Sequence, residues 1–96
     1  MKQENAIEAF TALAQDSRLA VFRLLVRLEP NGLPAGEISR RLDIVPSTLS
    51  GHLAVLKRAG LLKSVRHQRE IHYAANLAAM AALVRYMLED CCDRKV

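Results

Sequence analysis

Apolar positions recur along the chain with two different periods, and the change of period marks out its elements. From Asn5 to Ala14, Ile7, Phe10 and Leu13 or Ala14 fall on one face at helical spacing and predict a first amphipathic helix. Asp16 suits the N-cap of a second helix, with Leu19, Phe22 and Val26, and the neighbouring Val21, Leu24 and Leu25, as its buried side. That helix should stop near Leu28, because Glu29-Pro30-Asn31-Gly32 is a cluster of breakers. Pro34 then opens a third helix over Ala35 to Leu42, where its missing N–H costs nothing. Ile38 and Leu42 face inward on it, and Arg40 and Arg41 face solvent.

Asp43-Ile44-Val45 is a tight connection, and Pro46 fits the first turn of a fourth helix. Leu49, Leu53 and Leu56 form its buried stripe up to Gly60, while Ser47, Thr48, Gly51 and Lys57 lie on the exposed side. A short helix, a brief turn and a second helix with polar residues in its first turns is a helix-turn-helix pattern.

After Gly60 the period becomes two. Leu62, Ser64 and Arg66 lie opposite Lys63 and Val65, and Ile71 and Tyr73 alternate with Glu70 and His72. This predicts a two-stranded hairpin, a wing, with Arg66-His67-Gln68-Arg69 as its basic tip. Asn76 can cap a last helix running to about Asp90, with Leu77, Met80, Val84, Met87 and Cys91 as a stripe widened by Leu83 and Leu88. A helix so apolar is not left in water, so it and the first helix are the expected contact surface for a second copy of the chain. The predicted fold is mainly α with a β-hairpin, a winged helix-turn-helix in the order α-α-α-α-β-β-α, as a single domain over 1–96.

Composition narrows this picture. A chain of 96 residues with two Phe, two Tyr and no Trp builds one modest core from Leu, Ala, Ile and Val, and gains from burying a face in a partner. The first residues carry no apolar run after Lys2, and no apolar stretch is long enough to span a bilayer, so a cytoplasmic protein is expected. No paired carboxylates, nucleophile–base arrangement or glycine-rich phosphate loop points to an enzyme. The net charge of +4 is unevenly placed. Between Arg40 and His72 there are seven basic residues against two acidic ones, together with all three histidines. A polyanion would be met there.

The run from Ser47 to Leu62, with Ser50, His52-Leu53, Leu56 and Ala59-Gly60-Leu61, resembles the recognition helix of ArsR/SmtB metalloregulators. The resemblance extends upstream to Asp16-Ser17-Arg18-Leu19, like the family's opening D-x-x-R, and downstream through the wing to Tyr73. It covers roughly residues 6 to 90. It implies a bacterial homodimer, joined through its first and last helices, that represses an operon from a palindromic double-stranded DNA operator and leaves when an inducer binds. Gly51 departs from the pattern, standing where many relatives carry a longer polar side chain.

The helix-turn-helix pattern places Ser47 and Thr48 at base edges or phosphates. Ser50 contacts a phosphate or fills a small pocket, and Gly51 shifts contacts towards phosphate and shape. His52 is more readily a packed histidine than a base reader. Arg66, His67, Gln68 and Arg69 would reach phosphates or the minor groove from the wing. Lys57 and Arg58 are ordinary for a solvated helix, and Lys57 is the better placed for DNA.

Cys91 and Cys92 are adjacent, which suits neither a disulfide framework nor a core role for both. Vicinal thiolates chelate soft thiophilic ions. The resemblance to arsenic-responsive members with a C-terminal Cys-Cys pair implies As(III) or Sb(III) as inducer, with no cofactor otherwise required. Those members add a third cysteine, which this sequence lacks. Two thiolates could suffice, or an external thiol, a water or the other subunit could complete the site. The flanking Glu89, Asp90 and Asp93 disfavour the thiolate form, which counts against a fast redox switch. A thiol-based redox-sensing repressor, a repressor with no metal inducer and a dimerisation module that has lost DNA remain as alternatives.

Overall fold

The computed structural model describes residues 1–89. Its elements are α1 (Gln3–Leu13), α2 (Asp16–Arg27), β1 (Leu33–Pro34), α3 (Ala35–Leu42), α4 (Pro46–Arg58), β2 (Leu62–His67), β3 (Glu70–Ala75) and α5 (Leu77–Leu88). The wing is a fully antiparallel sheet in the order β1-β3-β2. No helix among the described residues is long and apolar enough to cross a membrane.

The core gathers around α2 and α4. Val21 and Leu25 from α2, Ile38 from α3, Leu49 and Leu56 from α4, and Leu61 at the entry to the wing are all fully buried. Removing a side chain such as that of Leu56 would cost about 2–5 kcal/mol, because its neighbours cannot close the cavity. The predicted boundaries of α3 and the predicted stripe of α4 match the structure.

Several faces differ from expectation, for one shared reason. In α1 the residues against the core are Ala6, Ala9 and Ala12, whereas Ile7 and Phe10 are exposed at 55% and 42%. Alanines let α1 lie close to α2 and α4, and the close approach turns the larger side chains outward. In α2, Phe22 is buried as predicted, but Leu19 and Val26 are exposed. In α5 only Leu83 is buried; Leu77, Val84, Met87 and Leu88 face out, and Met80 and Tyr86 are half-buried. Helical period identifies an apolar face but does not say whether the face is covered by the same chain or by another. Leu13, Leu19, Phe22, Val26 and Met80 with Arg23 and Arg27 line an open hollow of about 380 Å³ on this side of the molecule.

Two caps carry the local geometry. Gln15, not Asp16, is the N-cap of α2: its Oε1 accepts from the Arg18 N–H at 2.9 Å. Asp16 lies in the first helical turn, where its charge complements the helix dipole. Asn76 caps α5 as expected, accepting from the Ala79 N–H at 3.1 Å.

Strand β1 is an addition to the predicted order. Leu33 pairs with Tyr73 and Pro34 with His72, which fastens the α2–α3 connection to the wing. Gly32 makes this possible at φ 67°, since a Cβ there would sit 2.2 Å from the Tyr73 carbonyl oxygen. Pairing only two residues long, one of them proline, leaves no periodic signal in a sequence.

Candidate nucleic-acid interface

The turn between α3 and α4 is closed by hydrogen bonds around Ser39. The Asp43 and Ile44 N–H groups both donate to the Ser39 carbonyl, and the Ser39 hydroxyl donates to the Ile44 carbonyl. Asp43 takes the left-handed conformation at φ 54°, which Asp tolerates better than most residues. Ser39 was not legible as a structural residue, because its partner lies five positions away and outside any helical spacing. Glu37 ties down the outer face of α3 through hydrogen bonds to both Arg40 and Arg41. Those bonds, with Arg41 foremost and then Arg40, hold the Glu37 carboxyl below its ordinary range. The spacing of three and four residues was the available signal for these pairs.

Helix α4 begins at Pro46 with no side-chain cap on its first turn. The Ser47 and Thr48 N–H groups therefore stand at the positive end of the helix with no partner within it, an arrangement that attracts phosphate oxygens. Ser47, Thr48, Ser50, Gly51 and Lys57 are all exposed on this helix. Around Gly51 an added Cβ would meet nothing within 4 Å, so the glycine is required by neither packing nor backbone conformation. His52 is set apart from this group. It is half-buried, with Nδ1 3.5 Å from an Arg18 terminal nitrogen.

The wing tip is narrower than predicted. Arg66 and His67 belong to β2, opposite Ile71 and Glu70, and the turn proper is Gln68-Arg69 with Gln68 at φ 60°. A two-residue connection is the commonest hairpin loop, but it normally advertises itself by glycine or asparagine, both missing here. All four residues of the predicted tip are nonetheless exposed. The His67 and His72 rings lie 5.0 Å apart, and His72 also approaches the Glu70 carboxylate at 3.4 Å and the Asn31 carbonyl at 3.3 Å. The exposed start of α4 and the basic hairpin are thus two polar surfaces with side chains suited to a nucleic-acid backbone.

Among the described residues no three His, Cys, Asp or Glu side chains gather closely enough to hold a metal ion. Cys91 and Cys92, the predicted thiophilic site, lie outside the described residues.

A helix-turn-helix domain family matches residues 13–65, more than half of the chain. The chain is 30% identical over 82 residues to the transcriptional activator HlyU of Vibrio cholerae, spanning 85% of this chain and 73% of that protein. Its structure is similar to an ArsR-like transcriptional regulator from Rhodococcus sp. RHA1, with TM-score 0.77 and 29% identity, covering 90% of this chain and 77% of that one. It is also similar to reduced HlyU from Vibrio cholerae, with TM-score 0.67 and 31% identity, covering 92% and 90% of the two chains. These relatives are regulators of transcription and not enzymes. The chain belongs to the helix-turn-helix domain family, as a winged helix-turn-helix transcriptional regulator related to the ArsR/SmtB and HlyU proteins.

Proposed function

We propose that the chain is a single-domain homodimeric repressor that grips a palindromic duplex with α4 in the major groove and the wing along the backbone. One observation carries this reading: α4 exposes Ser47, Thr48, Ser50, Gly51 and Lys57 together from an uncapped helix start. In this reading Ser47 and Thr48 reach base edges and phosphates, and Gly51 allows close approach of the duplex. Arg66, His67, Gln68 and Arg69 meet phosphates or the minor groove. His52 supports the recognition helix from behind. The second copy covers the outward apolar faces of α1 and α5, where Ile7, Phe10, Val84 and Met87 now stand in water. Repression needs only that the bound dimer occupy a promoter. HlyU is named an activator, so transcription from a template carrying the bound site reads the sign directly.

For the signal, the relatives favour a thiol redox response over As(III) or Sb(III), since one similar structure is described as reduced HlyU. A thiolate at Cys91 or Cys92 attacks a peroxide, takes one oxygen to become a sulfenic acid, and releases the other as water or alcohol. A second thiol, from the other subunit, then displaces water to give a disulfide. The test is a reduced protein–DNA complex titrated in parallel with hydrogen peroxide and with As(III), for wild type, Cys91→Ser and Cys92→Ser. Release by peroxide, reversed by dithiothreitol and lost in a serine variant, is expected. Release by As(III) alone would restore the metalloid reading, and release by neither would leave a regulator without a thiol inducer.

A further inference from the structure

Arg18 makes contacts that its place near the start of α2 does not by itself require. Its Nε donates to the Ala12 carbonyl at 2.6 Å, and a terminal nitrogen donates to the Thr11 carbonyl at 3.4 Å. Both acceptors belong to the last turn of α1, where carbonyls run out of helical partners; the Thr11 carbonyl also accepts from the Ala14 N–H at 3.3 Å. The other terminal nitrogen lies 3.5 Å from Nδ1 of His52, 34 positions away on α4. One planar guanidinium thus touches the end of the helix that carries Ile7 and Phe10 and the middle of the helix that carries Ser47 and Thr48.

We infer that Arg18 is a positioning residue that couples the carboxyl end of α1 to the recognition helix through His52. The inference rests on the DNA-binding reading above. Guanidinium has donors only, so a hydrogen bond across this 3.5 Å contact needs Nδ1 as the acceptor, which is the tautomer with hydrogen on Nε2. A guanidinium donates in a fixed plane, so a shift of α1 moves the donor that orients the imidazole. Whatever seats the outer face of α1 is then felt at α4, and the recognition helix is set in register with the dimer.

Asparagine places an amide oxygen close to where Nδ1 stands, whereas glutamine reaches the Nε2 side. The experiment measures affinity for a duplex selected by the wild-type protein from a randomised pool. It compares Arg18→Lys, His52→Asn, His52→Gln and the double variant R18K/H52Q, after each is shown to melt cooperatively and to keep the wild-type oligomeric state. His52→Gln and Arg18→Lys are expected to weaken binding about tenfold each, the size of one hydrogen bond to a charged group. The double variant should be little weaker than either single one, and His52→Asn should stay near wild type. Nitrogen-15 spectra of the ring should show an unprotonated Nδ1 in wild type and an averaged pair of tautomers in Arg18→Lys. Equal losses for asparagine and glutamine, multiplied losses in the double variant, or a ring tautomer indifferent to Arg18→Lys would overturn the coupling. A wild-type protein that selects no duplex would defeat the DNA-binding reading instead, and the ring spectra would still decide the role of Arg18.

Discussion

Asn76 and Gly60 join the two ends of the wing. The Asn76 Nδ2 donates to the Gly60 carbonyl at 3.0 Å while its Oδ1 caps α5, and the Asn76 N–H donates to the Leu61 carbonyl at 2.9 Å. One side chain therefore fixes where α4 ends, where the hairpin returns and where α5 begins. Replacing Asn76 with Ala should cost about 1–2 kcal/mol for the cap, with more from the Gly60 carbonyl left unpaired. Asn76→Ser should retain a cap and lose only the Nδ2 bond. Urea denaturation of the two variants separates the contributions; equal losses would contradict the double role.

The glycines should respond in opposite directions. Gly32→Ala places a Cβ 2.2 Å from the Tyr73 carbonyl oxygen at a positive φ, and it should destabilise the fold and loosen β1 from β3. Gly51→Ala meets open space in the middle of α4, and it should stabilise the free protein by about 0.5–1 kcal/mol. Thermal melts in the absence of DNA check both signs. If Gly51 also serves close approach of the duplex, the stabilised variant will bind more weakly.

The outward apolar faces make a separate prediction. Val84→Glu and Met87→Glu put charges on residues that are 48% and 55% exposed in one chain, so the fold should persist while self-association fails. Sedimentation equilibrium of the variants against wild type measures this. A wild-type monomer at high concentration would remove the proposed role of α1 and α5.

Glu37 provides a pH signature for α3. Its folded-state carboxyl is held below the ordinary value of 4.5 by Arg41 and Arg40. Its contribution to stability is therefore complete above that value and fades as the pH falls through the lowered one. The effect should be small, because Arg40 and Arg41 are exposed. The difference in urea midpoint between wild type and Glu37→Gln should shrink as the solution is acidified, and a difference that grew would contradict the pairing.

The regular elements were legible because periodicity reports them directly. Pro46 and the stripe Leu49, Leu53 and Leu56 defined α4, and the alternation from Leu62 to Tyr73 defined the hairpin. Three features escaped for physical reasons. Strand β1 is too short to show a period, and Gln15 displaced the better capping residue Asp16. The buried side of α1 is marked by small residues, Ala6, Ala9 and Ala12, which pattern reading passes over in favour of Ile7 and Phe10. At the candidate site the exposed residues of α4 and the wing could be named from sequence. The contacts of Arg18 with His52 and of Ser39 with Ile44 could not, since the first depends on tertiary approach and the second on a turn whose spacing of five residues has no helical signature.

The wing should act mainly through charge. Arg66→Ala with Arg69→Ala is expected to weaken binding to every duplex and to flatten the dependence of affinity on salt, by about one unit of log–log slope per lost phosphate contact. Fluorescence anisotropy over a range of salt concentrations reads the slope, and an unchanged slope would remove the arginines from the interface.

Selection from a randomised duplex pool, followed by sequencing of the bound fraction, tests the central claim most directly. A symmetric dimer with one recognition helix per subunit should enrich two inverted half-sites with centres about 10 base pairs, or a multiple of that, apart. Enrichment should collapse for a variant in which Ser47 and Thr48 are both replaced by Ala. A bound fraction indistinguishable from the starting pool would contradict the account.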